Sequence, residues 1–303
     1  MMKRLTTTLL ASAVCFASAC SGGSADAKPE DQTATPSSKA TSDVVAKGWR
    51  TVDPENLIVI DTDYGLIGIE LYPEIAPNHT ARIKELARSK FYDNVSFHRV
   101  IDGFMNQTGD GSNGDGTGDS DLPDLGQEFL FRRTADMGFT LVDVQGDEQR
   151  SIEIGFYKGM PVASQPLRFA SETEDGNVGA FGLHCKGVTS MARTSNPNSA
   201  NSQFFLMRAW AAHLDTKYTV WGNTVMGYEH LERPKVGTVG DEGFVPDQMN
   251  WVRVAADMPE AERPKVQVMD TGSPAFTNYM KTKKKEDGTY PHICDIPVPS
   301  KTL

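Results

Sequence analysis

Short segments rich in β-branched residues, each followed by residues that favour a turn, constrain the fold most. Leu57 to Asp61 (LIVID) and Leu66 to Tyr72 (LIGIELY) are two such segments, and Thr62 to Gly65 (TDYG) separates them. This pattern predicts a strand, a tight turn and a second strand. Folded sequence therefore begins near Trp49 and opens with a β-hairpin.

One helix is predicted after the hairpin, and a further strand after the helix. Pro77 suits a first helical turn, and Ile83 and Leu86 recur at helical spacing, which predicts an amphipathic helix ending near Ser89. The segment from Val95 to Ile101 is predicted to be the next strand.

The N-terminus has the three parts of a secretory signal. Lys3 and Arg4 precede an apolar run from Leu5 to Phe16, and the small residues Ala17 to Ala19 form a processing site. The sequence therefore predicts a signal peptide over residues 1–19 and an exported, periplasmic protein.

Cys20 follows the processing site directly, as in the lipobox of bacterial lipoproteins, where this cysteine is acylated. The pattern favours a membrane-anchored lipoprotein, and the alternative is ordinary cleavage after Ala19 that leaves Cys20 free. Residues 20–48 contain too few apolar side chains to order themselves by burial, so they are predicted to be a flexible tether. Such a tether would hold a folded domain clear of a membrane, or would be a plain spacer without an anchor.

The charge of the chain argues against several classes of partner. It has 40 acidic and 30 basic side chains, and the net charge of −10 has the wrong sign for neutralising phosphates of nucleic acid or anionic lipid. After the N-terminus, no segment has the ~20 consecutive apolar residues of a membrane-spanning helix. We therefore expect no nucleic-acid partner, and membrane contact only through the lipid anchor.

The glycine-rich segment from Gly109 to Asp121 invites comparison with two ligand-binding loops but fits neither. A calcium loop starting at Asp110 would need ligands at its third and fifth positions and Gly at its sixth, where Ser112, Gly114 and Asp115 stand. A phosphate loop would need a Lys or a following helix, and the acidity of this segment repels phosphate. The sequence therefore predicts neither a metal nor a cofactor.

Three segments carry an unusual set of amide and large apolar side chains around one arginine. They are FHRVIDGFMNQTGD from Phe97 to Asp110, MARTSNPNSANSQFFLM from Met191 to Met207, and HLDTKYTVWG from His213 to Gly222. In order and in spelling they resemble the signature segments of the cyclophilin-type peptidyl-prolyl cis-trans isomerases. The resemblance covers about Leu57 to Gly227, and Lys265 to Asp270 looks like the last strand of that family.

The resemblance implies a mainly β fold: a closed, eight-stranded antiparallel barrel with two capping helices, over residues 49–272. Two stretches exceed the family pattern inside this domain, at about 128–180 and 234–264, and residues 273–303 form a C-terminal extension. Extra strands are predicted in the first stretch, at Glu128 to Arg133, Phe139 to Gln145, Ser151 to Tyr157 and Pro166 to Ala170. The added segments either rim the substrate groove and narrow its choice of client, or are peripheral elaborations.

The resemblance also assigns a site for proline-containing polypeptides. The side chains that should line a pocket for the substrate proline ring are Phe104, Met105, Phe205 and Leu214. Arg99 should reach over this pocket, with Gln107 helping to hold its guanidinium and Gln203 contacting the substrate backbone. Because strand alternation sends Phe204 and Phe205 to opposite faces, only one of these two rings can line the groove.

Four further positions complete the implied site. Ala192 and Arg193 replace a strip whose backbone hydrogen-bonds the peptide, and Tyr218 stands where many members have a histidine. His213 stands where animal members have a tryptophan that contacts cyclosporin. Since imidazole offers a smaller surface than indole, we expect weak cyclosporin binding with activity kept.

The resemblance implies that the protein accelerates rotation about X-Pro bonds, with Arg99 stabilising the twisted amide. The alternative is a non-catalytic chaperone or assembly module that holds proline-containing segments. Loss of Arg99 or of the Gly103 to Met105 pocket would mark the alternative, and both are present, which favours catalysis.

Two cysteines remain once Cys15 leaves with the signal and Cys20 is set aside. In an oxidising periplasm Cys185 and Cys294 either pair or stay free. Sequence does not give the distance between them, so both alternatives stay open.

Overall fold

The computed structural model of the chain describes residues 48–303, and strands dominate them. Its two α-helices are α1 (Pro77–Arg88) and α2 (Pro274–Lys281). In chain order the strands are β1 (Trp49–Thr51), β2 (Leu57–Thr62), β3 (Gly65–Leu71), β4 (Val95–Ser96), β5 (Arg99–Ile101), β6 (Met105–Thr108), β7 (Phe131–Arg133), β8 (Phe139–Gln145), β9 (Ile152–Tyr157), β10 (Met160–Ser164), β11 (Val178–Gly182), β12 (Val188–Met191), β13 (Phe204–Met207), β14 (Val220–Met226), β15 (Gly237–Thr238), β16 (Gln248–Met249), β17 (Trp251–Val254), β18 (Val266–Met269) and β19 (Ser300–Thr302).

The predicted signal peptide (1–19), Cys20 and all of the predicted tether up to residue 47 lie outside the described residues. Within residues 48–303, neither helix is long and apolar enough to span a bilayer.

Nine antiparallel strands form the main sheet, in the order β15-β5-β6-β13-β12-β14-β3-β2-β17. The hairpin expected first along the chain is confirmed as β2 and β3, which pair from Leu57 opposite Glu70 to Thr62 opposite Gly65. The fold is mainly β, as the resemblance implied.

The expected closed eight-stranded barrel differs from the observed hydrogen bonding. In the described part of the chain the sheet is open, because its edge strands β15 and β17 do not pair with each other. The single strand predicted from Val95 to Ile101 is broken at Phe97 and His98, whose backbones bond to Asp247 and Val239 instead. Its first half, β4, pairs with β16, and its second half, β5, pairs with β6. Along the chain, β4 leads into β5 near one edge of the main sheet, and β16 leads into β17 at the other edge, so this small pair lies between the two edges.

Helix α1 covers one side of the main sheet, and its prediction is confirmed. Pro77 occupies its first turn, and the Ser89 N–H that follows it donates to the Glu85 carbonyl at 3.0 Å. Ile83 and Leu86 are buried in the same apolar cluster as Trp221 of β14. The apolar residues at helical spacing in the sequence therefore form the face of α1 that packs against the sheet.

The first stretch that exceeds the family pattern, at about 128–180, forms a five-stranded antiparallel sheet, the inserted sheet, in the order β7-β11-β10-β9-β8. Strands β8 and β9 confirm two of the four predicted segments, and β7 forms only the second half of the segment Glu128 to Arg133. The fourth prediction, Pro166 to Ala170, is wrong: after Pro166 the chain turns into a 3-10 helix, Leu167–Glu172. The strand found nearby is β10, and its Pro161 fits because its backbone faces Leu183, the first residue after β11, whose N–H donates to the Pro161 carbonyl.

The C-terminal extension closes the inserted sheet and joins a third sheet. Phe276 of α2 is fully buried and meets Phe156 of β9 edge-on, with ring centroids 5.6 Å apart. Helix α2 therefore packs on the inserted sheet, which differs from the second capping helix that the resemblance implied. At its end, β19 pairs with β18, which also pairs with β1.

Two predicted boundaries near the C-terminus are corrected by this arrangement. The segment from Lys265 to Asp270, expected to be the last barrel strand, contains β18 of the three-stranded sheet. The strand that pairs with β2 is β17, which lies inside the stretch 234–264 that was expected to exceed the barrel. The tail is fixed by a disulfide between Cys185 and Cys294, whose Cα atoms are 4.9 Å apart, so the paired alternative is the observed one.

Candidate active site

A cavity of about 480 Å³ opens on the outer face of the main sheet. Ten residues that the sequence singled out line it: Arg99, Phe104, Met105, Gln107, Ala192, Arg193, Phe205, His213, Leu214 and Tyr218. Lys217 also lines it and was not predicted, while Gln203 lies behind its wall. The structure thus brings together side chains that are up to 119 positions apart, from Arg99 to Tyr218.

Strand register explains why these side chains meet. Arg99 of β5 pairs with Gln107 of β6, and Gln107 pairs with Phe205 of β13. Directly opposed residues of antiparallel strands point to the same face, so the three side chains form one row across the sheet. Phe204 points the other way and meets Trp221 in the core at 5.5 Å between ring centroids. The expectation that only one of the two phenylalanines lines the groove is confirmed.

A chain of amide hydrogen bonds runs from Arg99 into the body of the protein. Arg99 Nη1 donates to Gln107 Oε1 at 3.2 Å, and Gln107 Nε2 donates to Gln203 Oε1 at 3.1 Å. Gln203 Nε2 in turn donates to the carbonyls of Gly116 and Gly118 at 3.0 and 2.8 Å. Both Gln203 donors are therefore used inside the protein, and its expected contact with the substrate backbone stays a prediction.

The glycine-rich loop that ends this chain is held by one buried carboxylate. Asp110 accepts backbone N–H groups of Asn113, Gly116 and Gly118 at 2.8–3.0 Å. Burial disfavours its charge, but these N–H groups outweigh burial and lower the pKa of Asp110 to about 2. At Gly116 (φ +92°) a Cβ would lie 2.8 Å from the His98 ring, so the loop needs glycine there.

Arg99 keeps most of its hydrogen-bonding capacity for the cavity. Within residues 48–303 its one side-chain hydrogen bond is the bond to Gln107, although a guanidinium has five N–H donors. The side chain is half-buried, where an unpaired charge interacts more strongly than in bulk water. The site therefore presents a fixed cationic donor.

The wall opposite Arg99 is apolar and aromatic. His213 is exposed and stacks on Phe104, with ring centroids 5.6 Å apart. Leu214 is buried and belongs to the same short 3-10 turn, Ala212–Leu214. Tyr218 meets Phe205 edge-on at 5.7 Å, and the Arg193 guanidinium lies 4.4 Å from the centre of the Tyr218 ring.

Sequence reasoning missed a buried histidine beneath this wall. His184 Nδ1 lies 2.8 Å from Asp215 Oδ1, and its Nε2 lies 3.1 Å from Ser190 Oγ. Its ring stacks on Phe205 at 6.1 Å. Since Asp215 directly follows the Ala212–Leu214 turn, this pair fixes the turn against the sheet. In the sequence, only an unexplained Asp after Leu214 hints at this pair, because His184 lies 31 positions away from Asp215.

Comparison with known proteins gives consistent similarities. A family model described as cyclophilin type peptidyl-prolyl cis-trans isomerase matches residues 57–254. A Brucella suis protein named "Probable peptidyl-prolyl cis-trans isomerase" is 33% identical over 217 residues, which cover 68% of this chain and 85% of that protein. The crystal structure of cyclophilin AquaCyp293 from Hirschia baltica matches with a TM-score of 0.76 at 36% identity, covering 84% of this chain and 93% of that chain.

The family match has the same limits along the chain as the main sheet, which carries the cavity. It begins at the first residue of β2 and ends at the last residue of β17, so it includes every strand of the main sheet. It leaves out β1, β18, β19 and α2. The row of Arg99, Gln107 and Phe205 therefore lies in the matched region, and this chain belongs to the family of cyclophilin-type peptidyl-prolyl cis-trans isomerases, which makes it an isomerase.

Proposed function

We propose that the cavity accelerates X-Pro rotation in exported proteins and that Arg99 stabilises the twisted amide. The observation that carries this proposal is an arginine with free donors, held by Gln107, above an apolar hollow. Rotation about an X-Pro bond is slow because twisting the C–N bond costs resonance, behind a barrier of roughly 20 kcal/mol. No covalent bond breaks, so the protein needs only to bind the twisted form best.

Arg99 supplies this preference through the prolyl nitrogen. In the planar amide the nitrogen lone pair is delocalised, whereas in the twisted amide the nitrogen becomes pyramidal and can accept a hydrogen bond. A donor aimed at this nitrogen is therefore stronger in the transition state than in either ground state. The guanidinium presents its donors in a rigid, planar fork, so little order is lost when one of them meets the nitrogen.

The apolar wall supplies orientation. Phe205, Met105 and Leu214 are buried and present a hollow of hydrocarbon that suits a proline ring. A fixed proline ring leaves the preceding carbonyl as the part that swings, and loss of water from the hollow strengthens the contact to Arg99. Arg99 thus acts on the prolyl nitrogen, whereas the apolar wall holds the proline ring.

The test is Arg99→Ala on an Ala-Ala-Pro-Phe peptide, followed by protease-coupled or NMR exchange kinetics. We expect kcat/KM to fall about 10²–10³-fold, the loss typical of removing one transition-state donor. Arg132→Ala is the matched control, since Arg132 is an exposed arginine paired with Asp175 on the inserted sheet. Equal rates for wild type and Arg99→Ala would favour the alternative, a module that binds proline segments without catalysing their rotation.

Weak cyclosporin binding follows from the residue at position 213. The exposed imidazole of His213 covers Phe104 with less surface than an indole would, so the macrocycle loses contact area. We expect His213→Trp to tighten inhibition by cyclosporin while isomerase activity is kept. Tight inhibition of the wild type, or no change on His213→Trp, would contradict this assignment.

The location proposed for the protein is the periplasm, with a lipid anchor at Cys20. The Cys185–Cys294 disulfide supports an oxidising compartment, because such bonds are rare in reducing cytosol. Metabolic labelling with a radioactive fatty acid should mark the wild type and leave Cys20→Ser unlabelled. Equal labelling of both proteins, or recovery of the wild type in the cytosolic fraction, would rule the proposal out.

A further inference from the structure

A second hollow, which we call the flanking groove, lies next to the cavity and has a volume of about 720 Å³. Its floor is one face of the inserted sheet, formed by Ile152, Ile154, Ala163 and Phe181. Ile154 and Phe181 both pair with Ala163 across β9, β10 and β11, so these three side chains point the same way. This volume lies within the roughly 300–1,000 Å³ of typical ligand sites.

Two walls stand on this floor, and the C-terminal extension supplies one of them. Tyr290 to Ile293 line the groove. The next residue, Cys294, forms the disulfide with Cys185, which precedes β12 of the main sheet. Trp210 continues this wall, 51% exposed, with its ring centroid 4.1 Å from that of His292, and residues 212–216 supply the other wall. A large aromatic side chain left half in water beside an apolar floor is typical of a binding surface.

The flanking groove and the cavity share one wall. Along residues 212–218, Ala212, Asp215 and Thr216 line the groove, whereas His213, Leu214, Lys217 and Tyr218 line the cavity. The same short turn therefore faces both hollows, and a chain leaving one crosses a single turn of backbone to reach the other.

The lining favours an apolar occupant over a charged one. Its two exposed charges, Asp143 on β8 and Arg150 after it, have opposite signs, and the third charged residue of the lining, Asp215, is mostly buried and bonded to His184, so neither an anion nor a cation is favoured. An apolar occupant instead binds favourably, because it removes the hydrocarbon of Ile152, Ile154 and Phe181 from water.

We propose that the flanking groove binds an apolar stretch of the substrate polypeptide, next to the X-Pro unit held in the cavity. This inference rests on the proposed function, since the occupant is the continuation of the chain whose proline sits by Arg99. The groove makes the protein prefer prolines that lie beside apolar sequence, as in unfolded segments destined for a core. The groove does not change the isomerisation rate of a peptide that is too short to extend beyond the cavity.

The test uses Ala-Ala-Pro-Phe and two longer sets that contain it, extended on either side by Leu and Val or by Ser and Gly. Rates are measured by NMR exchange, which needs no protease. For the wild type we expect kcat/KM to be about tenfold higher (about 1.4 kcal/mol) with the apolar extension on one flank than with the polar extension. Ile152→Asp and Trp210→Ala should abolish this preference and leave the rate on Ala-Ala-Pro-Phe unchanged.

Val245→Asp is the matched control, because Val245 is an exposed aliphatic residue that lines neither hollow. It should keep the preference. The proposal is overturned if the wild type shows no preference on either flank, or if the preference survives both variants. It is also overturned if sedimentation shows a dimer that Ile152→Asp dissociates, since a second copy then fills the groove. Failure of the proposed function looks different: Arg99→Ala would then keep full activity on Ala-Ala-Pro-Phe.

Discussion

The main sheet and the inserted sheet are both antiparallel, yet their cores are completed in different ways. In the main sheet Phe204 packs edge-on against Tyr92 and Trp221, with centroids 5.5 Å apart in both pairs, and all three are fully buried. In the inserted sheet Phe156 finds its edge-on partner in Phe276, 120 positions further along the chain. The main sheet thus closes its core within the family region, whereas the inserted sheet needs the C-terminal extension.

The two regions share one buried apolar cluster, which contains Phe205 and Val220 of the main sheet and Phe156 of the inserted sheet, and polar contacts add to it. The Lys158 carbonyl, at the β9-β10 turn, accepts the Tyr72 hydroxyl at 3.0 Å, and Lys158 Nζ pairs with Glu74 at 2.5 Å. Glu128 accepts from the start of α1 and lies 2.6 Å from His79 Nδ1. Because the exposed Lys158–Glu74 pair contributes little, about 0–1 kcal/mol, the inserted sheet depends mainly on the shared cluster and on Phe276 of the C-terminal extension.

The largest expected effect separates the two cores. Phe204→Ala should lower the free energy of unfolding by about 3–5 kcal/mol, since it leaves a cavity between Tyr92 and Trp221. Phe276→Ala is the comparison: hydrogen exchange should speed up in β8 to β10 while β12 to β14 stay protected and peptide activity persists. Loss of protection in both sheets on Phe276→Ala would mean that they unfold as one unit.

The covalent tie between the regions is next in size. Cys294→Ser opens a bridge between residues 109 positions apart and should cost about 2–4 kcal/mol in urea unfolding. Reductant should lower the stability of the wild type to the same level and leave Cys294→Ser unaffected. If reductant does not change the wild type, the bond contributes nothing to stability.

A smaller effect is expected at the loop behind Arg99, and it depends on pH. The folded-state pKa of Asp110 is lowered from 3.8 to about 2, so its stabilisation is complete above pH 3.8 and is lost as the pH falls toward 2. Asp110→Asn should cost about 2 kcal/mol at neutral pH, at 1.36 kcal/mol per pKa unit, and flatten the acid limb of the stability curve. Asp143→Asn, on the inserted sheet, is the control and should alter neither; an unchanged acid limb in Asp110→Asn would refute the assignment.

The smallest predicted effect is on activity alone. Gln203→Leu removes the group that holds the Gln107 amide, so Arg99 is aimed less well, and kcat should fall about tenfold with KM nearly unchanged. Gln165→Leu on the inserted sheet removes a comparable hydrogen bond, to Gly179 N–H, and should leave kcat unchanged. A rise in KM with constant kcat would instead assign Gln203 to substrate binding.

Sequence predicted the cavity better than its surroundings, for a physical reason. The amino-acid sequence of three short segments specifies both strand register and side-chain type. The row across the sheet, formed by Arg99, Gln107 and Phe205, therefore follows from these segments. The break at Phe97 and His98 depends instead on backbone partners near Asp247, which no local pattern reveals. His184 and Asp215 likewise look ordinary apart and become a pair only in the fold.

The added layers were the least predictable part. Strand β10 was not predicted, and its Pro161 is acceptable in a central strand only because β11 ends one residue before Leu183, the residue that Pro161 faces. Strands β17 and β18 are similar short apolar runs, and which of them pairs with β2 is decided by tertiary contacts. Local propensity does not distinguish them.

The Cys185–Cys294 bond also affects how the chain would survive a protease. It closes a covalent ring that includes three exposed lysines: Lys281, the last residue of α2, and Lys284 and Lys285 shortly after it. A protease that cuts after one of these lysines opens the ring without dividing the molecule, because both fragments stay joined through sulfur. A nicked protein would run as one species until reduced, and the wall of the flanking groove would remain attached to the enzyme.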